Sequence, residues 1–491
     1  MASFIDMYAP DWYRRPLSQT ICLGLVFFCV FSAYTTIQFY AASTYGQVLA
    51  ANSISALYLT FTIVCLVAPA ITNKLGSRRT MFVGILGYAT LVECSLLYFW
   101  TGVEWIVVLG GSILGGGAAL LWTAQGRLML QYAAVAETSN SPNNNKVQSG
   151  TILAVFWAVY QCSSLVGGAI SFVYYSRRPT ADTKLYVIFL GFILIGGAAT
   201  QLLLPPSMLK NSSTPMEERR RTMKEVDDDS QLLVSEETEL IGDGHEEVES
   251  FRVTPSVTYG DDDTSSETWL DEAVNTLRLF LTQPMLHMSL LFFYMGFNQP
   301  YQQATFGNRF FSRRTIGIEL IVFHLMEIVG AIYCGRALDT SKVTELDANE
   351  LTSNRSRNSR RAAAVKCLII FVIVNSCGNL LAFLQEFQSF DHVLALDISD
   401  PRSIWPSLAF ACWGFADSQI HIYCYWLIGS MYNSPNDHSR AVGFLKCIQS
   451  LGYTMGFYII PTTRVSAVLQ LFVSSCMFVI GTSLSLLELP K

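Results

Sequence analysis

Long apolar segments recur along the whole chain and constrain its fold more than any other feature. A bilayer core about 30 Å thick is crossed by roughly 20 apolar residues in a helix. Twelve segments meet this condition: 19–40, 47–71, 81–101, 106–130, 150–175, 185–205, 284–306, 315–337, 362–385, 403–431, 440–461 and 464–486. Lipid offers no partner to an unpaired backbone group, so each segment is predicted to be an α-helix. The chain is therefore expected to be an all-α membrane protein with twelve transmembrane helices.

A long acidic insert divides these segments into two sets of six. Only 14% of all residues are charged, against roughly 25% in soluble proteins, and nineteen of the 38 acidic residues fall between positions 217 and 272. A stretch with so much charge and so few aromatic residues cannot bury enough apolar area to fold alone. We expect an N-terminal six-helix bundle over 1–206, a disordered acidic cytosolic linker over 207–280, and a C-terminal six-helix bundle over 281–491.

The distribution of lysine and arginine predicts the orientation, because basic loops are retained on the cytosolic side. It places both termini and the linker in the cytosol. The two glycosylation sequons, at Asn211 and Asn354, then lie on the side where they are not used. Lys366 and Lys446 fall near the cytosolic ends of their spans, where a lysine is expected to extend toward the headgroups.

The sequence carries no pattern typical of an enzyme. All 12 cysteines lie inside apolar stretches, so we predict neither a disulfide framework nor a zinc site. No phosphate-binding loop and no pairing of a nucleophile with a base occurs in the sequence. We therefore expect no catalytic activity, no cofactor and no nucleic-acid partner, and the lipid bilayer is the one partner that composition itself implies.

Small residues spaced four apart mark two expected helix contacts. They are Gly111 and Gly115 in span four, and Gly452 and Gly456 in span eleven. This spacing lets two helix backbones approach closely in lipid.

Two short basic turns occupy equivalent places in the two halves, after the second and the eighth span. They read Gly76-Ser77-Arg78-Arg79 and Gly335-Arg336-Ala337-Leu338-Asp339. A glycine with basic residues in a tight turn, once in each half, resembles the loop motif of the major facilitator superfamily. Internal repeats of this kind are typical of transporter folds. The alternative is that any tight cytosolic turn accumulates glycine and arginine.

Three segments extend this resemblance: LYLTFTIVCLVAPAITNKLGSRR at 57–79, LLWTAQG at 120–126 and NQPYQQATFG at 298–307. They resemble the Unc-ninety-three-like branch of that superfamily. The resemblance implies the superfamily fold of two six-helix bundles. The branch includes a potassium-channel regulatory subunit, a trafficking chaperone of innate immune receptors and orphan transporter-like proteins. Membership therefore implies a fold and leaves the substrate open.

Polar and ionisable residues inside the spans are the candidate site, because such groups are costly in lipid and normally face a cavity or a partner. The candidates for a proton or substrate cavity are Glu93, Gln125, His324, Glu327, Asp417 and His421. Glu319, His324 and Glu327 share one sector of span eight, about 140° wide. Asp417 and His421 lie one turn apart on span ten. The alternative is that these groups close permanent polar contacts between helices.

Two functional hypotheses follow from these residues. In the first, the protein is a secondary transporter of a small solute with alternating access, and its buried titratable groups couple transport to protons. In the second, it is a regulatory or trafficking subunit of another membrane protein, a channel or a receptor, and does not transport. Titratable groups in the spans favour the first hypothesis, and the relatives implied by the resemblance favour the second.

The linker contains two matches to an acidic dileucine sorting signal, which clathrin adaptors bind as an extended peptide. They are Asp228-x3-Leu232-Leu233 and Glu236-x3-Leu240-Ile241. The pattern is short and also occurs by chance. If the signals are used, the protein resides in endosomes or lysosomes. Otherwise the plasma membrane is the expected location.

Alanine in place of all four apolar residues of the two signals should move the protein to the cell surface, because an adaptor binds the apolar pair of each signal. The four residues are Leu232, Leu233, Leu240 and Ile241. Surface biotinylation of cells expressing the tagged protein measures the shift. The control is alanine at both Glu246 and Glu247, which lie in the same linker outside the two signals. An unchanged distribution in the four-residue variant would exclude these signals.

Overall fold

The computed structural model describes residues 9–138, 148–175, 183–209, 269–339, 350–389, 394–459 and 464–490. These residues are almost entirely helical, as backbone groups require in lipid. The helices of the first half are α1 (Pro16–Tyr45), α2 (Gln47–Val64), α3 (Ala68–Leu75), α4 (Ser77–Thr101), α5 (Glu104–Thr138), α6 (Ser149–Tyr175) and α7 (Thr183–Ala199).

The second half begins with a short helix that precedes its spans. Its helices are α8 (Trp269–Phe280), α9 (Gln283–Pro300), α10 (Gly307–Phe310), α11 (Arg313–Asp339), α12 (Glu350–Ser389), α13 (Ile404–Met431), α14 (Pro435–Ile459) and α15 (Ala467–Ser485). A π-helical turn over Tyr301–Phe306 joins α9 to α10. Each of the twelve predicted spans coincides with one of these helices or with a bent pair.

Apolarity alone identifies most of these spans. Among the described residues, eight helices are long and apolar enough to cross a bilayer, and two bent pairs bring the number to ten. The pairs are α2 with α3, bent by 63°, and α8 with the segment from α9 to α10, bent by 72°. The two spans outside this set, α13 and α14, carry many buried polar residues. Protein rather than lipid surrounds most of their length, so they do not need a continuous apolar surface.

Prolines and polar residues explain why two spans are broken. Pro69 stands in the first turn of α3, where its missing N–H costs nothing and its ring prevents α2 from continuing. Pro284 stands in the first turn of α9, at the 72° bend between α8 and α9. Further along, Pro300 lies at the end of α9 and directly precedes the π-helical turn, and both features are known causes of helix kinks. Asn298 and Gln302, which interrupt the predicted seventh span, are both buried at this break.

The structure differs from the predicted linker at its C-terminal end. We predicted disorder over 207–280, but α8 is an ordered amphipathic helix. Its Phe280 ring packs 4.9 Å from the ring of Phe444 on α14. The composition of α8 is too polar for independent folding, and the tertiary contact supplies the missing apolar burial. Residues 210–268 lie outside the described residues.

Both small-residue motifs lie at backbone contacts, as predicted. A Cβ atom on Gly115 of α5 would lie 2.1 Å from the backbone oxygen of Leu57 on α2. A Cβ atom on Gly452 of α14 would lie 2.3 Å from the backbone oxygen of Phe293 on α9. Each bundle is therefore held together by helices that touch backbone to backbone.

Several helix pairs join the two bundles, and two of them show the contact clearly. In the first pair, α6 and α11 touch where Gly150 faces Gly335, and a Cβ atom on Gly335 would lie 2.6 Å from the oxygen of Gly150. In the second pair, α2 faces α14, and the rings of Tyr58 and Tyr453 stack 4.6 Å apart. The end of the molecule that carries the two basic turns is named the motif face, and the sequence predicts it to be cytosolic.

Gly296 provides a test of this packing, since a Cβ atom there would lie 1.8 Å from the backbone oxygen of Gln449. Gly296→Ala should separate α9 from α14 and destabilise the protein by about 1–3 kcal/mol, the usual cost of overpacking. Its melting temperature in detergent should fall clearly below that of the wild type. Gly191→Ala is the matched control, because nothing lies within 4 Å of the added methyl group. Equal melting temperatures for both variants would contradict the packing described for α9 and α14.

Candidate functional site

Helices α11 and α13 bring four ionisable side chains together inside the second bundle. On α11, Nδ1 of His324 hydrogen-bonds the Glu327 carboxyl group. On α13, Nδ1 of His421 lies 3.4 Å from Oδ2 of Asp417. The carboxyl groups of Glu327 and Asp417 interact directly across the helix interface. These four predicted residues form one group, named the carboxyl–histidine cluster.

The backbones of α11 and α13 approach each other closely, and this brings the side chains of the cluster together. A Cβ atom on Gly330 of α11 would lie 2.3 Å from the backbone oxygen of Phe415, and one on Gly414 of α13 would lie 2.2 Å from that of Phe323. On α11 the two contacts, at Phe323 and Gly330, fall on either side of Glu327, and on α13 they lie within one turn of Asp417. Glu327 and Asp417 also stand near the middle of their helices. The pair is therefore held at mid-membrane depth.

Two carboxyl groups in contact cannot both be ionised without strong repulsion in a low-dielectric interior. A hydrogen bond between Glu327 and Asp417 requires one proton, and sharing that proton removes the repulsion. The side chain of Glu327 is 1% exposed, so water does not screen the pair. The geometry is that of a proton-binding dyad.

Beside the dyad, a hydrogen-bonded chain leads from the backbone of α13 to a third helix. Nδ1 of His421 donates to the backbone oxygen of Asp417 at 2.8 Å, and its Nε2 lies 3.0 Å from the amide nitrogen of Gln449 on α14. The amide oxygen of Gln449 accepts from Nζ of Lys446 at 2.9 Å. These bonds are mutually consistent when His421 is neutral with its proton on Nδ1.

Lys446 contradicts our prediction that it extends toward the headgroups. Its side chain is 4% exposed and lies three turns inside α14. Its Nζ rests 4.3 Å from the ring centroid of Trp122, on α5 of the first bundle, and 5.8 Å from that of Tyr425. The predicted span began at residue 440, whereas α14 begins at Pro435. Because of this offset, the sequence placed the lysine too close to the helix end.

Aromatic residues of the first bundle complete the site. The ring of Trp157 on α6 lies 4.8 Å from the imidazole of His421. Trp157 also stacks 6.1 Å from Trp122. The ring of Tyr160, one turn further along α6, packs 5.6 Å from that of Trp157. The site is therefore shared between the two bundles, which hydropathy alone does not indicate.

Two other predicted cavity residues lie elsewhere. Glu93 is exposed on the outer surface of α4, so its assignment to the cavity is wrong. Apolar residues surround Glu93 in the sequence, and hydropathy does not report which face of a helix points inward. Gln125 is fully buried on α5, well before the helix end at Thr138. Its amide donates to the sulfur of Met129, a neighbour on the same helix outside the cluster.

Glu319 on α11 is separate from the cluster as well. Its carboxyl group accepts a hydrogen bond of 2.6 Å from the hydroxyl of Ser407 on α13. Its side chain is as buried as that of Glu327. It is therefore a buried carboxyl group with a neutral partner.

The first basic turn separates helix α3 from helix α4. Gly76 has φ +78° and ψ 155°, a conformation open almost only to glycine. Arg78 is half-buried and Arg79 is exposed. The glycine is thus needed to reverse the chain, and the two arginines follow in the first turn of α4.

The second basic motif lies within the last turns of α11 rather than in a loop. Gly335 touches α6 at Gly150, and the Asp339 carboxyl group accepts a hydrogen bond from the Thr151 hydroxyl. Arg336 points outward and is exposed. The glycine and the aspartate therefore close the contact between α6 and α11 at the motif face.

A second contact between the bundles at the motif face was not predicted. Asn73 on α3 donates to Oε1 of Glu272 on α8 at 2.5 Å and accepts from the Ser439 hydroxyl on α14. Arg440 donates from Nε to the same Oε1 of Glu272 at 3.0 Å. Asn73 and Glu272 lie 199 residues apart, so no local pattern could indicate this contact.

The two sorting signals, from Asp228 to Leu233 and from Glu236 to Ile241, lie outside the described residues. They remain predictions.

Comparison with solved structures identifies the fold. The structure aligns with a major facilitator superfamily transporter, FucP, in the outward conformation, with a TM-score of 0.56 and 10% identity, covering 96% of this chain and 98% of that chain. It aligns with the human organic anion transporter MFSD10 with a TM-score of 0.54 and 13% identity, covering 96% and 99%. The protein is a multi-pass membrane protein with the major facilitator superfamily fold.

Sequence comparison identifies the family. A family model described as "Ion channel regulatory protein UNC-93" matches residues 50–484. The chain is 24% identical to UNC93-like protein 1 of Arabidopsis thaliana over 472 residues, which covers 94% of this chain and 87% of the relative. It is 21% identical over 448 residues to an UNC93-like protein of Schizosaccharomyces pombe, covering 90% and 75%. The chain belongs to the UNC-93 family.

Proposed function

We propose that this UNC-93 family member is a secondary transporter of a small solute, in which the carboxyl–histidine cluster couples solute movement to proton movement. The observation that carries the proposal is the contact between Glu327 and Asp417 at mid-membrane depth. Ionisable groups at this depth are costly and are typically found on ion or proton pathways. A dyad that holds one proton can also bind a second one.

The position of the cluster at the bundle interface supports coupling. His421 contacts Trp157 of the first bundle, while Asp417 and Glu327 belong to the second. Alternating access moves one bundle against the other around a central site. Such a movement would change what surrounds His421, and with it the exchange of protons between the dyad and water.

The closed motif face supports the same mechanism. The contacts of Gly150 with Gly335 and of Asn73 with Glu272 join the bundles at this face. In the proposed cycle these contacts would separate when the site opens to the cytosol. The orientation of the motif face toward the cytosol is part of the proposal.

Asp417→Asn and Glu327→Gln test the proposal. Each amide keeps the shape of the carboxyl group but cannot release or bind a proton. We expect solute-driven proton flux to fall by about 100-fold or more, the usual contribution of a proton-transfer group. The flux is measured in proteoliposomes that contain a pH-sensitive dye, with a panel of small anionic, neutral and cationic solutes. Glu319→Gln is the matched control, because it removes a buried carboxyl group of α11 outside the cluster, and it should retain the flux.

The competing explanation is a permanent hydrogen-bonded contact between α11 and α13. Under that explanation both amide variants would keep full proton flux and would differ from the wild type only in melting temperature. Full flux in Asp417→Asn and Glu327→Gln would therefore exclude the coupling role. Absence of proton flux from the wild type with every solute would exclude the transporter itself.

A second candidate function is supported by Glu93. We propose that the outer surface of α4 binds a transmembrane helix of another membrane protein, as a regulatory subunit would. Glu93 lies eight residues before Thr101, roughly 12 Å along the helix axis, and thus within the hydrocarbon layer. Its neighbours on this surface, Leu86 and Leu97, are 43% and 41% exposed. A carboxyl group facing lipid there needs a donor or a cation from outside the chain.

The partner expected at Glu93 is a transmembrane helix with a lysine or arginine at the matching depth. A photo-crosslinking amino acid at Leu97, one turn from Glu93, should capture a peptide of this kind in native membranes, identified by mass spectrometry. Glu93→Leu should abolish the crosslink. Glu104→Gln, which changes an exposed acidic residue at the start of α5, should leave it intact. Crosslinks to lipid alone, or a protein crosslink that survives Glu93→Leu, would refute this surface.

A further inference from the structure

The buried lysine of α14 is unusual in its partners. Nζ of Lys446 has three N–H donors, and the amide oxygen of Gln449 takes one of them. The faces of Trp122 and Tyr425 provide the remaining contacts. Among the described residues, no carboxylate lies within ion-pair distance of this ammonium group. A buried cation without an anionic partner is costly, and aromatic faces offset only part of that cost.

Two further hydrogen-bond donors beside the lysine are unused. The indole N–H of Trp157 and the hydroxyl of Tyr425 are buried, and neither has a hydrogen-bond partner in the described residues. Their rings lie 6.2 Å apart, and the Tyr425 ring is also the one beside Nζ of Lys446. Buried polar groups are normally paired. These two unpaired donors and the ammonium group of Lys446 lie in one cluster with Trp122, whose ring contacts both Nζ of Lys446 and the Trp157 ring. Donors of this kind, one of them charged, are complementary to an anion.

We propose that Lys446, Trp157 and Tyr425 form the substrate-binding site for a monovalent organic anion, a carboxylate with a small apolar body. The ammonium group would pair with the carboxylate, and the two neutral donors would bind its oxygens. The flat faces of Trp122 and Trp157 would hold the apolar part. This inference rests on the proposed transport function and names its substrate class.

Charge balance connects this anion site to the proton dyad. With one shared proton, Glu327 and Asp417 carry one negative charge together, and protonated Lys446 balances it. A second proton on the dyad leaves the positive charge of Lys446 uncompensated, and a monovalent anion restores neutrality. Burying net charge is costly in this interior. Binding of the proton and binding of the anion therefore favour each other, as symport requires.

Other titratable groups surround the two sites. Cys65, Cys424 and Asp417 lie near Lys446. His324, His421 and Tyr160 lie around the dyad together with Tyr453. The charge balance counts His421 as neutral, the state that fits its hydrogen bonds to Asp417 and Gln449. Mild acidification should therefore tighten anion binding by supplying the second proton to the dyad.

The test measures binding to the full-length protein in lipid nanodiscs. The probes are acetate, benzoate and naphthoate, each paired with its neutral amide, and the readouts are melting temperature and tryptophan fluorescence. At least one carboxylate should stabilise the wild type more strongly at mildly acidic than at neutral pH, and its amide should not. Lys446→Met should weaken binding of that carboxylate by at least about tenfold, as expected for loss of a buried charge partner.

Two control variants distinguish the loss of the Lys446 charge from a structural effect of the substitution. Lys446→Arg keeps the charge and should retain carboxylate binding, whereas Lys366→Met removes an exposed lysine of α12 and should bind like the wild type. Equal binding of acid and amide, undiminished binding in Lys446→Met, or no carboxylate binding by the wild type would each overturn the anion site. Proton flux with a neutral or cationic solute alone would refute the anion site and retain the proposed transport. Carboxylate binding without proton flux would refute the proposed transport and retain the anion site.

Discussion

A charged or hydrogen-bonding group within the hydrocarbon layer is costly without a partner, and the architecture of this molecule depends on that constraint. Backbone groups satisfy it by forming helices. Side chains satisfy it by being carried to the interfaces between helices, where Glu327 meets Asp417 and Lys446 rests on Trp122. Helices α13 and α14 carry many of these polar side chains, and more than half of the residues of each are buried in the protein.

Glycine makes these meetings possible. Short polar side chains reach each other across a helix interface only when the two backbones lie unusually close. Gly330 and Gly414 provide that distance between α11 and α13 around the dyad. Gly150 and Gly335 do the same between the bundles at the motif face. The glycine contacts between α11 and α13 shape the site of the second bundle. The glycine contacts between the two bundles are the ones that alternating access would have to break.

The site combines opposite charges that do not touch directly. Between the dyad on α11 and α13 and Lys446 stand His421 and Gln449, two groups that both donate and accept hydrogen bonds and that connect Lys446 to the backbone of Asp417. In the proposed cycle, these polar groups separate the two charges and prevent a closed ion pair. A direct ion pair between Asp417 and Lys446 would neutralise both and leave neither to a proton or a solute. This separation distinguishes the cluster from the buried ion pair of Arg309 with Glu386 near the opposite face, at 2.9 Å.

The sequence by itself determined the membrane class, the position of the spans and the pairing of residues along one helix. Apolar length marks a span because the bilayer thickness is constant, and helical periodicity places Asp417 one turn from His421. Only the tertiary structure decided which helices face each other. Periodicity is local, whereas the dyad, the Asn73–Glu272 contact and the aromatic surroundings of Lys446 join distant parts of the chain. Glu93 and Lys446 show the same limit, since hydropathy reports how apolar a helix is and not which of its faces meets lipid.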